Sequence, residues 1–479
     1  MAQSPYCRLG LVLVCSLMLA GCATTSVFSA YPSQMKPVRN NLNPSGYNAS
    51  IKSLKQNLDS ADKDLYGMEL GRVQQLAGDY QGSLQSYATV INDVQQQQLT
   101  AKIRASNLLA QTGSLMSNDN ALPYQVKSYE LVFLYNYQAL NYLAMGDIQN
   151  AMVSVRQSDQ QQQWYVTQHQ YQLQQAQQIS QQHGWSFNPL EYGASKSTYK
   201  VAQQVTDPMQ NGFAYYLSGI MYEATGDYDD AFISLQNAIQ LEPNNQYVRN
   251  KLLEVLEERG GSPSMFQQYM KQFGLSQAPV IPQNSGQVVV IYEQGLVPPM
   301  QQASYPLNFE GASQLFVFPV YKPAGQPAPV LTVSLQQNNT KTTLGQTQEL
   351  INVEAVAAKE LTQEYPIIFI REALRLATQA GILTAPTNNN KNDQAAQLVN
   401  SIAAGLYMSI MAGADLRSWL TLPNSVQVFQ GYLQPAQNSL ILSQGALQQT
   451  VAVNVQPNHT LLVWVVDAGN NLQVKLINL

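Results

Sequence analysis

The sequence predicts two folded parts in series: an all-α array of stacked helix pairs, then an α+β domain with a mostly antiparallel sheet. Three observations carry this. Gly-Asp pairs recur at 78, 146 and 226 within helix-patterned sequence from about 50 to 262. The pattern breaks at 263–285, where Gly, Ser, Pro and Gln dominate. Beyond it, short β-branched runs such as GQVVVIYEQ alternate with turn residues. A chain of 479 residues is long enough for more than one domain, and 45% hydrophobic content supplies a sizeable core. The net charge of −5 offers no clustered basic surface, so no nucleic-acid partner is expected. Only 11% of residues are charged, and glutamine, about 13% of the chain, stands where Lys and Glu usually do.

The N-terminus sets an address. Arg8 precedes an apolar run from Leu9 to Ala20, too short to span a bilayer and suited to a signal-peptide core. The run ends in Leu19-Ala20-Gly21-Cys22. This resembles a bacterial lipobox, which implies removal of residues 1–21 and acylation of Cys22. Ala23 in place of aspartate implies sorting to the outer membrane, facing the periplasm. Two or more acyl chains anchor stably, at ~0.8 kcal/mol per buried methylene. Cys7 and Cys15 would leave with the signal, so no disulfide is expected. Residues 22–49, rich in Ser, Pro, Asn and Thr, read as a flexible tether.

The clearest repeat unit is GFAYYLSGIMYEATGDYDDAFISLQNAIQLEPNN. Tyr215, Gly219, Tyr222, Gly226, Ala231, Leu235, Ala238 and Pro243 fall where a tetratricopeptide repeat places its knobs and holes. Gly219 and Ala231 let two helices approach, Gly226 ends the first, and Pro243 stops the second. Tyr135, Ala139, Tyr142, Gly146 and Ala151 repeat the pattern, and Gly78-Asp79 marks a weaker copy. The first two turns lie 68 residues apart, twice the ~34-residue period, so AKIRASNLLAQTG is expected to add a degenerate pair. The Gln-rich stretch 157–182 is expected to lengthen or insert a helix. Three to four pairs would stack, since none buries its face alone. Such arrays usually bind proteins, and their concave face would present Phe133, Asn136, Phe213, Tyr216 and Glu223; packing between pairs is the other role open to these residues.

After a linker at 263–285, residues 286–479 read as strands, two helices, then strands. GQVVVIYEQ, QLFVFPVY and APVLTVSL are strands. A helix follows Pro366, with Ile367, Ile370, Leu374 and Ala377 on one face. AAQLVNSIAAGLYMSIMAGA reads as a buried helix. NSVQVFQGYLQP, QTVAVNVQ and HTLLVWVVDAGNNLQVKLINL end the chain as antiparallel strands with a final hairpin.

GDYDDA, GLVPP, REALRLAT and DLRSWLTLP occur in that order. In this the chain resembles a family of uncharacterised bacterial outer-membrane lipoproteins with a tetratricopeptide-like N-terminal half. The family's neighbours imply a part in envelope or peptidoglycan assembly. ADLRSWLTLP, at 414–423, admits two roles: a joint in which Asp415 pairs with Arg417 and Trp419 fills the core, or an exposed peptide- or glycan-binding platform of Arg417 and Trp419.

No catalytic constellation stands out. His169, His183 and His459 lie apart, and no nucleophile elbow, phosphate loop or zinc motif occurs, so no cofactor or metal is expected. Glu293 and Glu354 are the pair weighed for a cell-wall hydrolase. The reading reached is an outer-membrane-anchored periplasmic scaffold or regulator, not an enzyme, that binds a protein partner through its repeats. The alternatives are that hydrolase and a structural subunit of a secretion machine.

Overall fold

The structure is a computed structural model that describes residues 29–104, 120, 123–184, 188, 195–208, 210–309, 312–323, 327–337, 340–379, 413–435, 437–469 and 471–479. Cys22, the expected helix pair around 105–113 and the apolar helix at 395–414, save for its last two residues, lie outside them.

Helices fill the N-terminal half. Two short ones, α1 (Tyr31–Asn40) and α2 (Tyr47–Lys55), lead into three helical hairpins. These are α3 (Lys63–Leu76) with α4 (Tyr80–Arg104), α5 (Ser128–Ala144) with α6 (Ile148–His183), and α8 (Gly212–Ala224) with α9 (Tyr228–Leu241). Between them lies α7 (Ser195–Ala202), and α10 (Gln246–Glu258) and α11 (Pro263–Phe273) follow. The Gln-rich stretch falls within the 36-residue α6.

One turn recurs in all three hairpins. Gly78, Gly146 and Gly226 have φ of 81°, 81° and 78°, a left-handed conformation that costs other residues ~1–2 kcal/mol. The next residue's N–H donates back five positions: Asp79 to Gln74, Asp147 to Tyr142 and Asp227 to Tyr222, at 2.8–2.9 Å. Seven residues before each turn stands Gly71, Ala139 or Gly219. A Cβ at Gly71 would meet Tyr87 Cε1 at 2.3 Å, and one at Gly219 would meet Leu235 Cγ at 2.7 Å. The first and third hairpins therefore close on a glycine opposite the ninth residue after the turn.

The C-terminal half holds mixed sheets. A five-stranded sheet runs β11 (Leu472–Asn478), β10 (Thr460–Asp467), β1 (Gly286–Gln294), β7 (Ser425–Leu433), β6 (Gln348–Asn352). β1 pairs parallel with β10, Val290 facing Val463, and antiparallel with β7, Val290 facing Phe429. A four-stranded antiparallel sheet runs β5 (Thr340–Gln346), β4 (Thr332–Gln337), β8 (Gln437–Gln444), β9 (Leu447–Asn454). β2 (Gln301–Phe309) and β3 (Ala312–Val320) form a hairpin, as do β10 and β11. The helix α12 (Val353–Gln379) links β6 towards the second set of strands.

Four expectations need correction. The tether 22–49 contains α1 and the start of α2: Tyr31, Met35 and Val38 share one helical face and are buried. The linker 263–285 contains α11, capped by Ser262 Oγ accepting from Met265 N–H, opened by Pro263 and closed by Gly274 at φ 68°. α12 begins thirteen residues before Pro366 and runs through it. An interior proline costs roughly 3 kcal/mol, offset here by burial of Val353, Ala357, Leu361 and Tyr365. Finally, the halves do not keep separate cores: one contiguous buried cluster extends from Tyr31 to Ile477. Among the described residues no helix is long and apolar enough to cross a membrane.

Candidate functional site

α1, α3 and α5 line a groove that the chain's own segment 413–424 occupies, and Asn424 N–H at its end donates to Gln294 O on β1. Asp415 grips Arg417 at Nε (2.8 Å) and Nη2 (2.6 Å). Arg417 Nη1 donates to Asp62 Oδ1 at 2.5 Å, just before α3. Trp419 N–H donates to Glu130 Oε1 on α5 at 2.7 Å. Leu420 N–H and Thr421 N–H donate to the two oxygens of Glu69 on α3, at 2.7 and 3.1 Å. Thr421 Oγ1 and Tyr31 OH also donate to Glu69, at 2.5 and 3.1 Å. Arg39, from α1, donates to the carbonyls of Leu420 (2.5 Å) and Val297 (2.9 Å), and Val297 N–H donates to Leu422 O. GLVPP and SWLTLP are thus neighbours, joined by α1.

Three carboxylates of the helical half, Asp62, Glu69 and Glu130, hold an irregular segment, which turns at Leu420 and Thr421, by its backbone N–H groups and its arginine. Charge-assisted bonds of this kind are short and strong, and they replace the strand pairing the segment lacks. Burial pushes Glu69 up to about 7, against hydrogen bonds from Thr421, Leu420 N–H and Tyr31. Burial also raises Glu130, opposed by the Lys127 charge. Asp415 is pushed up by burial but held below the usual range by Arg417. Trp419 is fully buried, edge-on to Tyr87 and Tyr137 with centroids 5.9 and 5.7 Å away.

Three further polar clusters join the halves. Glu293 on β1 accepts from Arg72 on α3, from Tyr137 OH (2.9 Å) and from Trp464 Nε1 (2.7 Å). Lys251 on α10 is buried and donates to Glu223 (2.5 Å) and to Gln287 Oε1 on β1 (3.1 Å), while Gln430 Nε2 on β7 donates to Glu254 (2.8 Å). Glu360 on α12 accepts from the N–H and hydroxyl of Ser128 at the start of α5, at 3.0 and 2.7 Å, and burial, then Glu364, push it up to about 7.

These contacts overturn the expectation of an open concave face. Phe133 stacks on Phe213, centroids 6.0 Å apart, and both are fully buried. Asn136 donates to Val132 O and Ser158 Oγ. Tyr216 OH donates to Gln430 Oε1, and Glu223 is engaged by Lys251. Phe133, Asn136 and Phe213 therefore pack helix against helix, while Tyr216 meets β7 and Glu223 pairs with Lys251 on α10. The exposed Arg417–Trp419 platform is overturned as well, since the two are 3% and 0% exposed. The joint reading of ADLRSWLTLP matches the geometry, with a reach across the molecule that local pairing did not anticipate.

Glu293 spends its oxygens on Arg72, Tyr137 and Trp464, and Glu354 is buried in the first turn of α12. His459 lies exposed near Pro457 O, and no metal-binding group of three occurs among the described residues. Sequence reading missed Arg39, Asp62, Glu69, Arg72, Glu130 and Lys251. Their signal was present: a charge such as Glu69 or Arg72 inside an otherwise buried helix, in a chain this poor in charge, needs a partner.

No family matches the sequence, and no curated protein matches it. Among solved structures, a crystal structure of MamA is similar at 11% identity and TM-score 0.26, covering 48% of this chain and 86% of that one. A second, of the MamA protein, gives 11% and 0.28, covering 52% and 97%.

Proposed function

We propose that the chain is an outer-membrane lipoprotein facing the periplasm, which binds a protein partner as a scaffold or regulator of envelope assembly. Peptidoglycan synthesis is the process that the motif resemblance favours. The observation that carries the reading is Leu19-Ala20-Gly21-Cys22 placed shortly before a docked helix. Tyr31 lies nine residues along the chain from Cys22, a span that fully extended reaches at most about 32 Å. An acylated Cys22 would therefore hold the body close to the bilayer, where partners at the inner leaflet surface are met first. The tetratricopeptide-like hairpins support a binding role, but with the concave groove filled, a partner would dock elsewhere.

The test is expression of the full chain in bacteria with labelled palmitate, followed by fractionation and crosslinking. Label at Cys22, membrane recovery lost in Cys22→Ala, and a reproducible crosslinked envelope protein are expected. An unlabelled chain recovered in the soluble fraction would refute the anchor. A labelled chain without crosslinked partners that alters peptidoglycan fragments would replace binding with hydrolysis.

A further inference from the structure

β7 is flanked on one side by β1 along its whole length, but on the other by β6 only as far as the pair Gln348–Val428. A bulge between Glu349 and Ile351 turns the chain. Towards its N-terminal side the same chain leaves the first sheet and pairs with β4 as β5, Gln346 facing Thr332. From Phe429 to Leu433, among the described residues, that side of β7 has no strand partner.

The gap is a cleft of about 850 Å³. It touches four consecutive residues of β7, 429–432, and five of the departing chain, 344–348. Neighbouring strand residues point to opposite faces, so a surface touching all of them runs along both strand edges. The N-terminal half of α10, through Tyr247 and Asn250, closes the third wall. Gly345 and Gly431 both pack against the Phe429 ring, which a Cβ at either would approach to 2.9 or 3.0 Å. No Asp, Glu, Lys, Arg or His lines the cleft. Unpaired edges are ordinarily blunted by charge or proline, and this one carries neither along 429–433.

We propose that the cleft takes an uncharged extended peptide, which adds as a strand to β7 over about five residues, roughly 17 Å. Main-chain hydrogen bonds supply the affinity, and the neutral walls reject charged side chains. The proposal is independent of lipid anchoring.

The test uses the full chain and hydrogen–deuterium exchange at Gln430–Leu433. The probes are a pool of acetylated, amidated, uncharged hexapeptides, the same pool N-methylated on alternate amides, and chitotetraose. At ten times Kd, the unmodified pool should slow exchange about 11-fold, with the N-methylated pool inert. Asn250→Trp, which fills the third wall away from Phe429, should abolish the effect while circular dichroism stays unchanged. No slowing with the pool, or equal slowing with both pools, overturns strand addition. Slowing by chitotetraose alone overturns it in favour of a glycan site.

Discussion

Glu69 is the residue on which the union of the two halves is most exposed to test. It accepts from two backbone N–H groups, Leu420 and Thr421, and from the hydroxyls of Thr421 and Tyr31, all buried. In Glu69→Ala the hydroxyls can rotate to other acceptors, but the two amides cannot. An orphaned buried donor costs about 1–3 kcal/mol, so the pair should cost about 4 kcal/mol. Glu69→Gln keeps one oxygen and turns an amide donor towards donors, for a loss of about 2 kcal/mol. Urea melts should follow circular dichroism at 222 nm, which reports the helices, and tryptophan fluorescence, to which Trp419 contributes from beside Tyr87 and Tyr137. Both signals should shift together to a lower midpoint with an unchanged slope, because one core serves both halves. A loss under about 1 kcal/mol, or a fluorescence shift that leaves the helical midpoint in place, would refute the clamp.

Gly219→Ala should cost about 1–3 kcal/mol by overpacking and be partly rescued by Leu235→Ala; Gly226→Ala should cost about 1–2 kcal/mol through its φ of 78° and show no such rescue, as a double-mutant cycle in urea would reveal. Arg72→Met alone strands the buried Glu293 carboxylate and should cost about 3–5 kcal/mol, whereas Arg72→Met with Glu293→Met should recover most of it in thermal melts. Stability should also fall with rising pH. Burial holds Glu69 near 7, burial and Glu364 hold Glu360 near 7, and burial and Glu349 hold Glu242 near 8, all above the ordinary 4.5. The folded chain thus keeps protons that the unfolded chain has released, and stability is lost between pH 4.5 and 8, on the order of 3 kcal/mol from Glu69 alone. A Tm higher at pH 8 than at pH 5 would contradict this.

The hairpin turns were legible because their cause is local. A left-handed residue must be glycine, and the small residue seven positions earlier follows from helix contact. α1 was hidden by composition: Pro32, Ser33, Pro37 and Asn40 suggest a tether, while Tyr31, Met35 and Val38 at helical spacing were the stronger cue. Pro366 looked like a helix start because local propensity disfavours it inside, and packing on both sides overrode propensity. The parallel pairing of β1 with β10 joins residues more than 170 positions apart and leaves no mark on either strand's own sequence. The concave face failed for a different reason. Phe213 and Tyr216 would read the same whether the face awaited a partner or was already covered, because burial against another part of the chain and burial on binding select the same side chains.

That ambiguity also decides where a partner can act. The groove does recognise a chain segment, by carboxylates on the backbone N–H groups of 419–421, but the segment is its own. A competitor there would have to replace four hydrogen bonds from this segment to Glu69 and Glu130 and the Arg417–Asp62 pair, each charge-assisted bond worth about 1.5–3 kcal/mol. Displacement would therefore need many kcal/mol before the first new contact contributed. Binding along the unpaired side of β7 would let the clamp stand. Substitutions at Phe213 or Trp419 would abolish partner binding merely by unfolding the chain, so they cannot locate a partner's footprint. Asn250 can, because none of the hydrogen bonds described to Glu69, Glu130 or Glu254 comes from it, whereas Gln430 in the same cleft donates to Glu254 and is no neutral probe.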